Sequence, residues 1–110
     1  MYLSRMDEIL LLTIWRLGDN AYGVPIIKEI KESSGKKISL GGLWVLLDVL
    51  CKKGFLEKRI ADPTPERGGR GKIYYTITEP GIKELGKVRE MSTSLWSDLP
   101  DTFLEKLKKL

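Results

Sequence analysis

A chain of 110 residues, 42% hydrophobic and 31% charged, has room for one domain around one core and not for two. It holds no histidine and a single cysteine, which excludes Ser-His-Asp triads, Cys-His pairs, zinc sites built on thiolate or imidazole, and any internal disulfide. The net charge is only +4, yet nine basic residues stand against four acidic ones between Lys36 and Lys72, so the excess lies mid-chain and not in a tail.

No run of about 18 apolar residues marks a membrane span. Met1 to Arg5 does not open a secretory signal, and the lone Cys51 suits a reducing, cytoplasmic setting.

Ser4 to Leu17 predicts a first helix, with Ser4 as N-cap and Asp7 three residues on as an approximate capping box. Its apolar residues, Met6, Ile9, Leu10, Leu11, Leu12, Ile14, Trp15 and Leu17, exceed one stripe, so burial on most sides is expected, with Trp15 in the core or beside it at a dimer contact. Gly18 stops it. A second helix follows over Tyr22–Ser33, with Pro25 in its first turn and Gly35 at its end. A third starts at the N-cap Ser39 and runs to Lys53, with Leu43, Leu47 and Leu50 on its core face and Gly54 beyond it. Gly41 and Gly42, poor helix formers in its first turn, serve either close approach to a ligand or a local packing bend.

Phe55–Ile60 and Lys72–Thr78 read as two strands. The Pro- and Gly-rich loop between them, residues 62 to 71, makes a hairpin with a protruding basic tip. Thr78 then caps a long helix with Glu79 and Pro80 in its first turn. Its apolar stripe, Ile82, Leu85, Val88, Met91, Leu95 and Trp96, has no partner in so small a domain, which predicts a homodimer interface. Loss of that partner is expected to unfold or aggregate the chain. Pro100 interrupts the stripe, and residues 101–110 offer a last short amphipathic segment.

Three helices, a hairpin with a basic tip and a long terminal helix follow the winged-helix plan. The expected class is mainly α with a small β-hairpin (α+β): a winged helix-turn-helix over residues 1–78, and a dimerisation helix over 79–110 within the same compact unit. In this plan the third helix offers its N-terminal residues to a DNA major groove, and its free N–H groups suit phosphate. Candidate DNA-binding residues are Lys36, Lys37 and Ser39 before the helix, Gly41 and Gly42 in its first turn, and Arg67, Arg70 and Lys72 on the wing. A solvated loop is the alternative for the wing arginines. Lys52 and Lys53 complement the helix dipole, with DNA contact as the alternative. Tyr22, Tyr74 and Tyr75 read as structural, with a hydroxyl on a phosphate as the alternative. Cys51 reads as a small hydrophobe, with a thiolate favoured by Lys52 and Lys53 as the alternative.

Several ordered motifs resemble the PadR family of transcriptional regulators over about residues 6 to 97. Ala21-Tyr22-Gly23 is similar to the family's Gly-Tyr-Gly, and the run from Ser39 to Leu47 to its Ser-x-Gly-x-Leu-Tyr-x-x-Leu. Lys53-Gly54-Phe55-Leu56 resembles its Lys-Gly-Leu-Ile, and Arg70 to Thr78 its basic wing and Lys-x-Tyr-Tyr-x-Leu-Thr strand. The resemblance implies a repressor without enzymatic activity, dimeric through the C-terminal helix and bound to a palindromic operator. It also implies a small planar aromatic effector at the dimer interface in some members, for which Trp96 and Trp15 are the candidates, with plain packing the alternative for Trp96. No cofactor is implied. Trp44 replaces the usual Tyr, Asp48 a basic residue and Cys51 a Glu. Asp48 either repels phosphate or accepts from a cytosine amino group. This sparse third helix also suits a second function, a winged-helix module that binds another protein and not specific DNA.

Overall fold

The computed structural model describes residues 3–61, 72–97 and 99–110. Helix α1 spans Arg5–Leu17, a 3-10 turn Gly18–Asn20, α2 Gly23–Ser34 and α3 Leu40–Lys52. Strands β1 (Leu56–Ile60) and β2 (Ile73–Ile77) follow, then α4 (Glu79–Ser97) and α5 (Asp101–Lys108). The mainly helical class with one antiparallel hairpin is as the sequence predicts. No helix among the described residues is long and apolar enough to cross a membrane.

Local chemistry sets each boundary. The capping box of α1 is complete: Asp7 N donates to Ser4 Oγ and Ser4 N to the Asp7 carboxylate, both at 3.0 Å, which satisfies two N–H groups left over at a helix start. Gly35 ends α2 in the left-handed conformation at φ 73°, its N–H on the Lys31 carbonyl at 2.9 Å.

The core is the meeting of three helices and the hairpin. Leu10, Leu11 and Ile14 of α1 close on Ile26 and Ile30 of α2 and on Leu43, Leu47 and Leu50 of α3, all essentially inaccessible. Phe55, Leu56, Tyr75 and Ile77 seal the hairpin side. Two expectations for α1 are corrected. Leu12 is 39% and Trp15 63% exposed, because a helix packed by α2 on one flank and β2 on another still leaves an outer face free. The apolar excess of α1 is therefore surface in this chain, not core.

Leu56 pairs with Ile77 and Ile60 with Ile73 across the hairpin. Beyond the pair, Tyr75 N donates to the Ala21 carbonyl at 2.9 Å, so the connector between α1 and α2 is tied to the far edge of β2. A clasp then joins the end of α3 to the start of α4. Thr78 N donates to the Phe55 carbonyl at 3.0 Å, the Thr78 hydroxyl donates to the Gly54 carbonyl at 2.6 Å, and Gly81 N donates back to Thr78 Oγ1 at 3.2 Å.

Gly81 is buried at this clasp, and a Cβ there would lie 2.5 Å from the Phe55 carbonyl oxygen and 2.8 Å from Ile77 Cγ1. The first obstacle is backbone and cannot rotate away. Gly81→Ala is expected to cost about 1–3 kcal/mol through overpacking, read as a lower urea midpoint at unchanged slope. A variant as stable as the parent would show that the clasp is looser than its geometry.

Candidate nucleic-acid interface

Helix α3 owes its exposure to its own periodicity. Leu43, Leu47 and Leu50 face inward, while Gly41, Val45, Asp48 and Lys52 recur at four, three and four residues along the opposite line. Val45 is 64% exposed and the Asp48 side chain 53%. At the start of the helix Ser39 Oγ accepts from Gly42 N at 3.0 Å, leaving earlier first-turn N–H groups directed outward. A Cβ on Gly42 would meet Ser39 Oγ at 3.1 Å and Ile38 Cγ1 at 3.5 Å, whereas one on Gly41 would meet nothing. Local packing thus accounts for Gly42, and Gly41 leaves the outward line bare. Lys36 and Lys37 are exposed in the connector that leads into the cap.

The base of the wing holds a constellation that the sequence pattern does not reveal. Lys72 Nζ sits 4.1 Å above the Tyr22 ring, Tyr22 lies 5.3 Å from Tyr74, and the Arg59 guanidinium is 4.9 Å from the Tyr74 centroid. Cation and ring attract through the ring quadrupole, so the four side chains hold one another in order: lysine, ring, ring, arginine. Part of the signal is present in the strand register, since Arg59 pairs with Tyr74 directly across the hairpin. Arg67 and Arg70 lie outside the described residues.

Burial is the main cause that pushes the Tyr75 phenol up to about 12, with the charges of Cys51 and Asp48 acting in the same direction. The folded value exceeds the unfolded one of about 10. The contribution to stability is therefore complete below pH about 10 and is lost as pH rises through about 12. Tyrosinate absorbance should show one late-titrating phenol that Tyr75→Phe removes; its persistence would place the late group elsewhere. Burial likewise raises the Cys51 thiol, with Lys58 opposing and Asp48 reinforcing. Lys52 instead pairs with Asp48 at 3.0 Å, so it does not serve the alternative reading of Cys51 as a thiolate.

The apolar stripe of α4 divides. Leu85 packs against the core of its own chain and Val88 is half-buried, while Ile82, Met91, Leu95 and Trp96 are 45%, 56%, 67% and 58% exposed. Val88, Met91, Leu95 and Trp96 line a groove of about 520 Å³ with Leu3, Arg5 and Glu8 at the start of α1. Trp96 meets Phe103 of α5 edge-on at 6.1 Å. Trp15 borders a different cavity, with Ile14, Tyr75 and Ile77. Within one chain the two candidate effector tryptophans are thus apart.

Three helices around one core, a two-stranded hairpin tied to the connector between the first two helices, and an exposed third helix make this a winged-helix protein. The chain belongs to the Transcriptional regulator PadR-like family, whose pattern it matches over residues 11–87. Its backbone is similar to that of a PadR-like transcription factor from Bacteroides fragilis, at 26% identity and TM-score 0.67, over 84% of each chain. It is also similar to F93 from STIV, a winged-helix DNA-binding protein, at 24% identity and TM-score 0.65, over 86% of this chain and 95% of that one. A PadR family transcription regulator from Clostridium difficile R20291 gives 22% identity and TM-score 0.63, over 88% and 96%. Comparison with curated protein sequences gave no match.

Proposed function

We propose that the chain is a dimeric transcriptional repressor, without enzymatic activity, that binds operator DNA through α3 and the wing. The observation that carries this is the exposed, N-capped α3 standing beside the Lys72–Tyr22–Tyr74–Arg59 stack, with Lys36 and Lys37 leading into the cap. Capped N–H groups, two connector lysines and a wing that ends in basic residues match the phosphate-positioning half of a DNA interface. Arg67, Arg70 and Lys72 follow the backbone or the minor groove in this reading. Two copies join through Ile82, Val88, Met91, Leu95 and Trp96, the more open part of the predicted stripe, while Leu85 packs within its own chain. A small planar aromatic effector held at Trp96, with Trp15 as a second candidate, would act by changing how the two copies sit.

Family membership and the absence of any catalytic constellation in the sequence support a regulator in preference to an enzyme. One observation favours a second reading, a protein-binding module: the outward line of α3 carries Val45 and Asp48 and no arginine, asparagine or glutamine.

The two readings part in salt. Fluorescence anisotropy with duplex DNA is expected to give saturable binding whose affinity falls steeply as salt rises, because bound cations release counterions. Arg67→Ala with Arg70→Ala should weaken binding and flatten that slope by about one unit for each phosphate no longer neutralised. Equal affinity for parent and double variant at moderate salt would count decisively against a wing-mediated complex.

A further inference from the structure

We propose that the outward line of α3 reads the major groove through thymine methyl groups and one cytosine amino group, with Val45 and Asp48 as the specificity-determining residues. The inference rests on the DNA-binding reading and deepens it. Gly41, Val45, Asp48 and Lys52 form a single row along the exposed side of α3, so a groove that admits this helix meets those four positions. None of them is an arginine, asparagine or glutamine, and Lys52, the one residue of the row suited to guanine, is paired with Asp48 at 3.0 Å, so the row offers no free side chain of the kinds that read guanine or adenine.

What the row can make follows from its chemistry. The Val45 side chain is 64% exposed, apolar and β-branched, a stiff hydrocarbon surface of the kind that packs on the C5-methyl of thymine. One turn earlier Gly41 has open space where a Cβ would be, which lets the helix backbone approach the base edges closely enough for a side chain as short as valine to touch one. One turn later the Asp48 carboxylate is half-exposed and paired with Lys52 at 3.0 Å. A carboxylate only accepts hydrogen bonds, and cytosine N4 is the donor that cytosine offers in the major groove. The Lys52 ammonium answers the repulsion that phosphates would exert on Asp48. Trp44, at the edge of the row and 6.3 Å from the Tyr75 ring, stands between this surface and the wing and braces α3 against β2.

The test begins with the full chain and a pool of randomised duplexes, selected at moderate salt. The expected half-site contains a thymine whose replacement by deoxyuridine, which removes only the methyl, weakens binding about three- to fivefold. Val45→Ser, at an exposed position, should bind the thymine and deoxyuridine duplexes equally. Asp48→Asn should move the preference at the neighbouring position from cytosine towards adenine by about fivefold or more. A selected site indifferent to every thymine methyl overturns the inference while leaving DNA binding intact, as does binding without sequence preference. Binding to no duplex at any salt overturns both and assigns the row to a protein partner.

Discussion

Substituting lysine for both Met91 and Leu95 is expected to turn the proposed dimer into a folded monomer and to lower affinity for a two-fold symmetric DNA site by about two orders of magnitude. The two side chains are 56% and 67% exposed and line the same groove as Trp96. In a single chain a charge at either place costs little, since nothing apolar there loses its cover. In a dimer built on this face the same charges must be buried opposite hydrocarbon, which is costly without a partner ion. The helical signal should therefore persist while the sedimentation mass halves. DNA affinity falls because two half-sites can no longer be held at once; each domain keeps its own grip on the phosphates. A variant that stays dimeric would move the interface off α4.

This expectation departs from the one that the stripe alone suggests. From the stripe alone, separation of the copies is expected to unfold or aggregate the chain. The core, however, closes within one chain through Leu10, Leu11, Ile14, Leu43, Leu47 and Leu50, and only Leu85 of the stripe packs against it. The stripe of α4 is thus divided: Leu85 belongs to the domain, and Met91, Leu95 and Trp96 face outward.

Leu47→Ala should produce the largest loss of stability, about 2–5 kcal/mol. Leu47 is fully inaccessible, between Leu43 and Leu50 on the inner line of α3. Truncation leaves a cavity that helices locked by α1, α2 and the hairpin cannot collapse. Set against a total of about 5–15 kcal/mol for a typical domain, the variant sits near the edge of folding at ambient temperature. Val45→Ala, two positions away on the outer line, should change stability by no more than about 0.5 kcal/mol. Urea titration of both variants separates the faces of one helix, and comparable losses would mean that α3 is rotated from the orientation described.

The sequence is legible wherever a rule acts over a few residues. Ser4 with Asp7, Gly35, Ser39 and Thr78 each mark an end that the structure keeps, because capping depends on neighbours within one turn. The inner line of α3 is equally plain, since leucines at spacings of four and three admit one helical face. Trp15 and Leu12 mislead because hydrophobicity says what a residue prefers and not how many neighbours the topology supplies. The Lys72–Tyr22–Tyr74–Arg59 stack escapes sequence reasoning for a related cause. Tyr22 stands about fifty residues from Lys72 and Tyr74, and they meet where β2 packs on the connector, with the backbone bond from Tyr75 to Ala21 beside them. The division of the α4 stripe is hidden too, because Leu85 and Leu95 look alike until Gly81 fixes how closely the helix approaches Phe55.

That close approach sets a dimension. With the carbonyls of Gly54 and Phe55 both held by Thr78, and no room for a side chain at Gly81, α4 leaves each domain like the arm of a calliper welded at its joint. In the proposed dimer the distance between the jaws, the two copies of α3, would be set by this weld together with the contact between the arms. An operator with its half-centres one helical turn apart, about 34–36 Å, either fits that gauge or does not. Inserting a few base pairs between the halves should therefore abolish paired binding abruptly, whereas a looser joint would let affinity decline by degrees.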